Sequence, residues 1–481
     1  MQDHDQVVMQ MGAVVSTVTL DDATILSLFG ADDAENESPG RLKEYFYVNK
    51  AYQAINSTMP IRVVVGHKGV GKSALLKRAH LQDLDSGHSS VWLQADSITD
   101  VQDEASKEAN FVKRIGVWRQ GILREVLKDF YGEDAAKLVP ELSTASYQSL
   151  TKVLIKHLDG LSAGSSINIY IDDIDRGWKA HENDIVNISA LLNAIRDISG
   201  GQPRIRFRIG LRSDVYFLVR TSDESTDKIE ANVVSLRWTN DDILRVLAKR
   251  ISTYFELNIS DDEISLLEQS TITARILSRV IDPVFKGRGK WESRPVHKIL
   301  LSMTRARPRD LVKLLRLAAQ MAYSRDRSVI SSIDLQDVFE KYSQERLQDI
   351  VNEFVSEVPN VERLVLSMKP AKKERLASNS YLFTTASLSA KIGSILSNTP
   401  ISFTNRKSVT PRAIIQFLYK IDFITARKDL DNGNIDRKYF DQSRFLAHEI
   451  VDFGYGWEIH PAYRWALQPQ DVNEILDTLD V

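Results

Sequence analysis

The stretch Gly66-His67-Lys68-Gly69-Val70-Gly71-Lys72-Ser73 sets three glycines, an ammonium and a hydroxyl at fixed intervals. It fits G-x-x-x-x-G-K-[ST] at every specified position. Glycines let such a loop curl until its N–H groups face inward, where they hold phosphate oxygens. The helix expected over 73–79, with Ala74 in its first turn, adds its positive N-terminal end. Within this loop Lys72 is the candidate for β- and γ-phosphates, and Ser73 offers its hydroxyl to Mg²⁺. His67, Lys68 and Val70 fill the variable positions and contribute backbone.

Phosphate chemistry of this kind needs a further acid at the end of a buried strand. Ile167–Ile171 is a continuous apolar run followed by Asp172, Asp173 and Asp175. Asp172 is the candidate Mg²⁺ carboxylate. Asp173 is placed to polarise an attacking water as general base, with Asp175 its rival. Two arginines are candidates to stabilise charge on a γ-phosphate: Arg212, at the C-terminal end of the "RIRFRIGLRSD" strand, and Arg309, which opens a helix in "RPRDLVKLLRLAAQ".

The elements that must carry these residues follow from periodicity. Val63–Val65 run into the loop as a strand. "SSVWLQADS" (89–97), "INIYIDDID" (167–175) and "RIRFRIGLRSD" (204–214) read as further strands. Helical spacing appears between them, as in Ile115, Trp118, Ile122 and Val126. Strands alternating with helices predict a parallel α/β sheet. From "TNDDILRVLAKRISTYFEL" to about 345 nearly everything has a 3.6-residue period. From about 360 the pattern is mixed, with helices at 386–397 and 410–421 and a turn "DNGN" at 431–434. The expected organisation is an N-terminal helical segment (1–60), an α/β core with a parallel sheet (61–238), an all-helical lid (239–355) and an α+β region (356–481).

The chain has 481 residues, 43% hydrophobic and 26% charged, with a formal net charge of -3, so any nucleic-acid contact must be a local basic patch. It contains no cysteine, which excludes disulfides, thiolate metal sites and thiol catalysis. The first residues carry acids and no basic n-region, and no apolar run approaches the roughly 20 residues needed to span a bilayer. A cytoplasmic protein without membrane contact is expected.

"LFGADDAENE…LKEYFYV", "VVVGHKGVGKSALL", "IYIDDIDRGW", "LRSDVYF…DKIEANVVSLRW" and "RPRDLVKLL", spread over roughly 25–345, resemble the bacterial P-loop ATPases near the STAND and KAP NTPases, relatives of AAA+ proteins. The segment 89–97 between the two phosphate motifs resembles the extra strand of that class. The resemblance implies ATP and Mg²⁺, and no N-K-x-D guanine-reading motif is present. It places Arg212 at the strand-end sensor and Arg309 at the lid arginine. Phage-defence or signalling settings go with it. Many relatives have Asp-Glu where this chain has Asp172-Asp173, which implies slow hydrolysis or a switch.

Residues 360–481 carry no catalytic constellation and resemble a winged helix. Arg406, Lys407, Arg412 and Lys420 are available for DNA phosphates, or form a packing surface. His448 and His460 read as structural. Three functions stay open: an ATP-driven switch or motor acting on its own oligomer or a separate effector, an ATP-gated DNA-binding regulator, and a nucleotide-binding scaffold.

Overall fold

The computed structural model describes residues 18–31, 36–93, 95–139, 142, 144–161, 165–222, 224–371, 380–430, 435–447, 453–468 and 475–476. The turn expected at 431–434 and His448 lie outside them.

β1 (Ile61–Val65), β2 (Ser89–Leu93), β3 (Ile167–Ile171), β4 (Ile205–Leu211) and β5 (Val233–Ser235) form one sheet in the order β2-β3-β4-β1-β5, with every pairing parallel. Their β-branched residues suit a pleated surface covered on both faces. β3 is buried along its whole length. On one face the helix Lys72–Asp85 sets Leu75, Leu76 and Ala79 against Val64 and Tyr170. On the other, helices Phe111–Tyr131, Tyr147–Asp159 and Glu182–Gly201 bring Trp118, Leu154 and Ile195 onto Val63, Ile169 and Phe207. Each such apolar side chain stabilises the core by about 1.5–3 kcal/mol. Trp118 also satisfies its indole by donating to Asn187 Oδ1 at 3.0 Å.

The strand between the two phosphate-site strands is β4, not the 89–97 segment. β2 lies at the sheet edge beside β3, and a helix, Ala95–Lys107, begins directly after it. Local apolar runs identify strands but carry no information on which strand pairs with which. β4 therefore delivers Arg212 between β1 and β3, at the ends where the loop and the acids emerge.

A second core is helical. Thr239 and Asp242 form a capping box that starts the helix Asn240–Tyr254. Helices Val296–Met303, Pro308–Tyr323 and Ser332–Phe354 complete it, with Pro308 in the first turn of its helix. A short antiparallel ribbon, β6 (Val284–Phe285) with β7 (Arg294–Pro295), interrupts the helical pattern. The helix Asp22–Phe29, capped by Asp21 accepting from the Thr24 N–H at 2.8 Å, inserts Ile25, Leu28 and Phe29 into this core. Trp465 and Leu476 fill it from the other side.

The remaining region combines helices Val361–Ser367, Thr385–Asn398 and Pro411–Lys420 with an antiparallel sheet. Its strands are β8 (Leu382–Phe383), β9 (Ile424–Asp429), β10 (Ile435–Lys438) and β11 (Gly456–Ile459), ordered β10-β9-β11-β8. Ile350 and Phe354, from the last turns of Ser332–Phe354, are part of its apolar core. The long helix thus ties the lid to the C-terminal region.

Candidate functional site

The loop after β1 turns through left-handed glycines, Gly69 at φ 83° and Gly71 at φ 95°. Gly66 is excluded from carrying a side chain, because a Cβ there would lie 2.8 Å from Val70 Cγ2 and 3.0 Å from the Leu236 carbonyl oxygen. Four loop carbonyls are occupied, two by the loop's own lysine and two from outside. Lys72 Nζ donates to the oxygens of Gly66 at 2.9 Å and His67 at 3.1 Å. The Lys68 oxygen accepts from Arg307 Nη1 at 3.1 Å, and the Val70 oxygen from the Trp238 indole at 2.7 Å.

Asp172 follows β3 and is buried. It sits against β4 so closely that a Cβ on Gly210 would fall 2.3 Å from its Oδ1. Asp173 is exposed, adopts φ 56° and lies 4.0 Å from Arg176 Nε. Asp175 Oδ2 accepts the Arg212 backbone N–H at 2.7 Å. Burial pushes the Asp175 carboxyl up, against the pull of the Lys72 and Arg212 charges. Burial likewise pushes the Lys72 ammonium down, against Asp175 and then Asp172. The opposite charge of each partner works against that shift in the other.

Burial disfavours the Arg212 charge, but Asp214, Glu353 and Asp175 overcome it and hold the guanidinium well above its ordinary range. Arg212 donates to Asp214 through Nε at 3.1 Å and Nη2 at 2.7 Å, approaches Glu353 at 3.8 Å, and covers the Phe354 ring at 5.4 Å. Arg309 reaches the loop from the lid: a Cβ on Gly69 would sit 3.7 Å from its side chain. The guanidinium lies 4.0 Å from Asp349.

These groups converge. A cavity of about 600 Å³ is lined by Lys68, Gly69, Gly71, Lys72, Ser73 and Ala74 of the loop, by Asp172, Asp173 and Asp175, and by Arg212 and Arg309. Val70 and His67 are buried behind the loop. The cavity's other wall is Ala31, Leu42, Tyr45, Arg250 and Val312. Arg250 stacks on Tyr45 at 4.6 Å and donates to the Phe29 carbonyl. The donors at its polar end, a hydroxyl from Ser73 and a carboxylate from Asp172, are the hard oxygens that suit Mg²⁺.

Glu353 and Arg250 were not legible as site residues, since each comes from an element distant in sequence and neither sits in a quoted motif. Tyr45, Trp238 and Arg307 do lie in stretches that carry the family resemblance, Arg307 as the alternative to Arg309, but their contacts with the loop and cavity were not legible there. The basic C-terminal residues divide. Arg406 and Lys407 are exposed and Arg412 is half-buried. Lys420, read as available for DNA, is instead held by Glu357 at 2.5 and 2.6 Å, and its helix buries Ile414, Phe417 and Leu418. His460 is structural: it accepts from the Ala462 N–H at 3.2 Å and contacts Tyr439 Oη at 3.0 Å.

A parallel sheet with β4 between the loop strand and the acid strand, and a glycine loop closing on a lysine and a hydroxyl, define a P-loop nucleoside-triphosphatase fold. Residues 241–351, within the helical lid, match the family model of the FunZ-associated C-terminal helical domain. The chain is 24% identical over 323 residues to the transposon gamma-delta 80.3 kDa protein of Escherichia coli (strain K12), covering 65% of this chain and 43% of that protein's length. It is 27% identical over 157 residues to Allergen Alt a 2 of Alternaria alternata, covering 33% of this chain and 74% of that one. Among solved structures, the Aeropyrum pernix ORC2 protein in its ADPNP–ADP complexes covers 87% of each chain at 12% identity and a TM-score of 0.40. The Thermotoga maritima RuvB Holliday junction branch migration motor covers 63% of this chain and 73% of its own at 13% identity and a TM-score of 0.30. No described helix is long and apolar enough to cross a membrane.

Proposed function

We propose that this chain binds and hydrolyses ATP with Mg²⁺ and uses the nucleotide as a switch over self-association or a partner effector, in the manner of the STAND- and KAP-like ATPases it resembles. One observation carries this: Lys72, Ser73, Asp172, Arg212 and Arg309, from four separate stretches of chain, line one cavity. Ser73 and Asp172 would hold Mg²⁺, which when bound would supply neutralisation of charge on the β- and γ-phosphates. The loop N–H groups and Lys72 bind the triphosphate. Asp173, exposed into the cavity, accepts the proton of the attacking water. Asp175 is the positioning acid, since its Oδ2 is committed to the Arg212 backbone. Ala31, Leu42, Tyr45 and Val312 offer an apolar wall for the base.

The switch reading rests on Arg212. Its guanidinium is shared between Asp214, two residues away, and Glu353, on the lid helix. A γ-phosphate competes for that charge, so ATP changes the tie between sheet and lid, and a ligand shifts an equilibrium only through such differential contacts. The region 356–481, in the order helix, strand, two helices and antiparallel strands, is a winged-helix-like domain in this reading. Exposed Arg406 and Lys407 favour DNA as a second ligand.

Light scattering with and without a non-hydrolysable ATP analogue tests the switch. A mass or partner affinity that changes with nucleotide supports it, and identical values in all nucleotide states refute it. A salt titration of DNA binding tests the second ligand.

A further inference from the structure

The back of the phosphate loop is not left to solvent. Arg307, at the N-cap of the lid helix Pro308–Tyr323, donates through Nη1 to the Lys68 carbonyl at 3.1 Å and through Nη2 to Asp422 Oδ2 at 2.6 Å. One planar guanidinium therefore joins the loop to the C-terminal region, which is a use of the fork that an ammonium does not reproduce. Beside it, His67 Nε2 of the loop lies 3.3 Å from Asp441 Oδ1 and 3.6 Å from Asp422 Oδ2. His67, Arg307 and Asp422 are 5, 4 and 1% exposed, so water does not screen this junction.

The junction is also under-satisfied. Among the described residues, His67 Nε2, Arg307 Nε, Asp422 Oδ1 and Asp441 Oδ1 are buried with no hydrogen-bond partner. Asp422 holds a left-handed backbone at φ 54° because it closes the helix Pro411–Lys420, its N–H donating to the Tyr419 carbonyl at 3.1 Å and that of Phe423 to the Leu418 carbonyl at 3.0 Å. Unpaired buried polar atoms are costly, and each calls for an explanation. A small cavity of about 30 Å³ lies between loop, lid and C-terminal region, with His67, Arg307, Asp422 and Asp441 in its lining.

We infer that Asp422 is a positioning residue: through Arg307 and His67 it sets the phosphate loop from behind, so that docking of the C-terminal region and binding of nucleotide favour each other. This rests on the ATP-binding reading and deepens it. The C-terminal region becomes a sensor of the loop as well as a constraint on it, because coupling between two binding events is reciprocal.

The test is hydrogen–deuterium exchange and binding on the full chain, with Mg²⁺ and the ATP analogue AMP-PNP. In the unaltered chain the analogue is expected to slow exchange at 66–72 and also at 411–424. Asp422→Asn should lower analogue affinity about 10-fold. At saturating analogue this variant should keep the protection at 66–72 and lose it at 411–424, a separation that a merely structural role does not produce. Should Asp422→Asn fail to fold, Arg307→Lys interrupts the same bridge and is expected to give the same separation. Analogue affinity within twofold of the unaltered chain in the folded variant, or no nucleotide effect at 411–424 in the unaltered chain, would overturn the inference. No protection at 66–72 in the unaltered chain would overturn the nucleotide reading itself, and this inference with it.

Discussion

Gly210→Ala separates the function of Asp172 from the stability of the fold. The added methyl carbon would stand 2.3 Å from Asp172 Oδ1, 3.4 Å from its Cγ and 3.2 Å from Leu76 Cδ1. Carbon and oxygen settle no closer than about 3.3 Å, so the carboxylate must withdraw by about 1 Å. The backbone has little freedom to yield, because β4 is paired on both sides and Gly210 sits opposite Val64 of β1. The short Asp172 side chain must turn off its rotamer, at a cost of about 0.5–1.5 kcal/mol. That is small beside a typical domain stability of about 5–15 kcal/mol. It is large for a metal ligand, where displaced supporting geometry costs about 10–100-fold in affinity. Calorimetric titration should show Mg·ATP affinity falling by that factor while ATP in EDTA binds as before, and thermal melting should move little. A well-folded variant with unchanged Mg²⁺ dependence would refute the placement of the metal at Asp172.

Asp173→Asn should preserve ATP affinity and slow turnover by about 10²-fold or more. Asp175→Asn should weaken both, because Lys72 and Arg212 lose a common partner; identical effects of the two changes would reject the division of roles. Arg309→Ala should lower turnover by about 10²-fold and affinity far less, and an unaltered steady-state rate would return Arg309 to a surface ion pair with Asp349. Acid should weaken the C-terminal region through His460, which burial, then the nearby Arg305 charge, pushes down to about 3. Its folded value lies below the unfolded 6.5, so the contribution is complete above pH 6.5 and is lost as pH falls toward 3. Two units of separation at pH 4.5 correspond to about 3 kcal/mol. Below pH 4.5 Glu458 adds to the loss, since burial disfavours its charge but Arg464 and Arg437 hold it at about 2. Urea melts at pH 7 and 4.5 should show this slope flattened in His460→Asn; an equal slope would contradict it.

The site was legible where its logic is local. The β-branched run, the glycine spacing and the apolar strand ending in acids each specify a turn or a strand end within a few residues. Arg212 followed for the same reason. Strand order was not legible, because β2 and β4 have similar apolar runs and only pairing across the sheet distinguishes them. The helix Asp22–Phe29 gave no sign of entering the lid core, since one amphipathic face does not name its partner. Lys420 read as a free cation because Glu357 lies 63 positions away. The bridge from Lys68 through Arg307 to Asp422 joins three regions, and no single stretch of sequence contains it.

The central claim is that one cavity binds the ATP triphosphate through Lys72. Its most direct test is isothermal titration of the full chain with Mg·ATP, beside Lys72→Ala, with circular dichroism to show that both are folded. Lys72 is half-buried and its ammonium holds the Gly66 and His67 carbonyls, so its loss removes the ammonium without opening an apolar core. The account predicts saturable, Mg²⁺-dependent binding by the unaltered chain and none at the same concentrations by Lys72→Ala. Equal binding by both chains, or none by either, would contradict it.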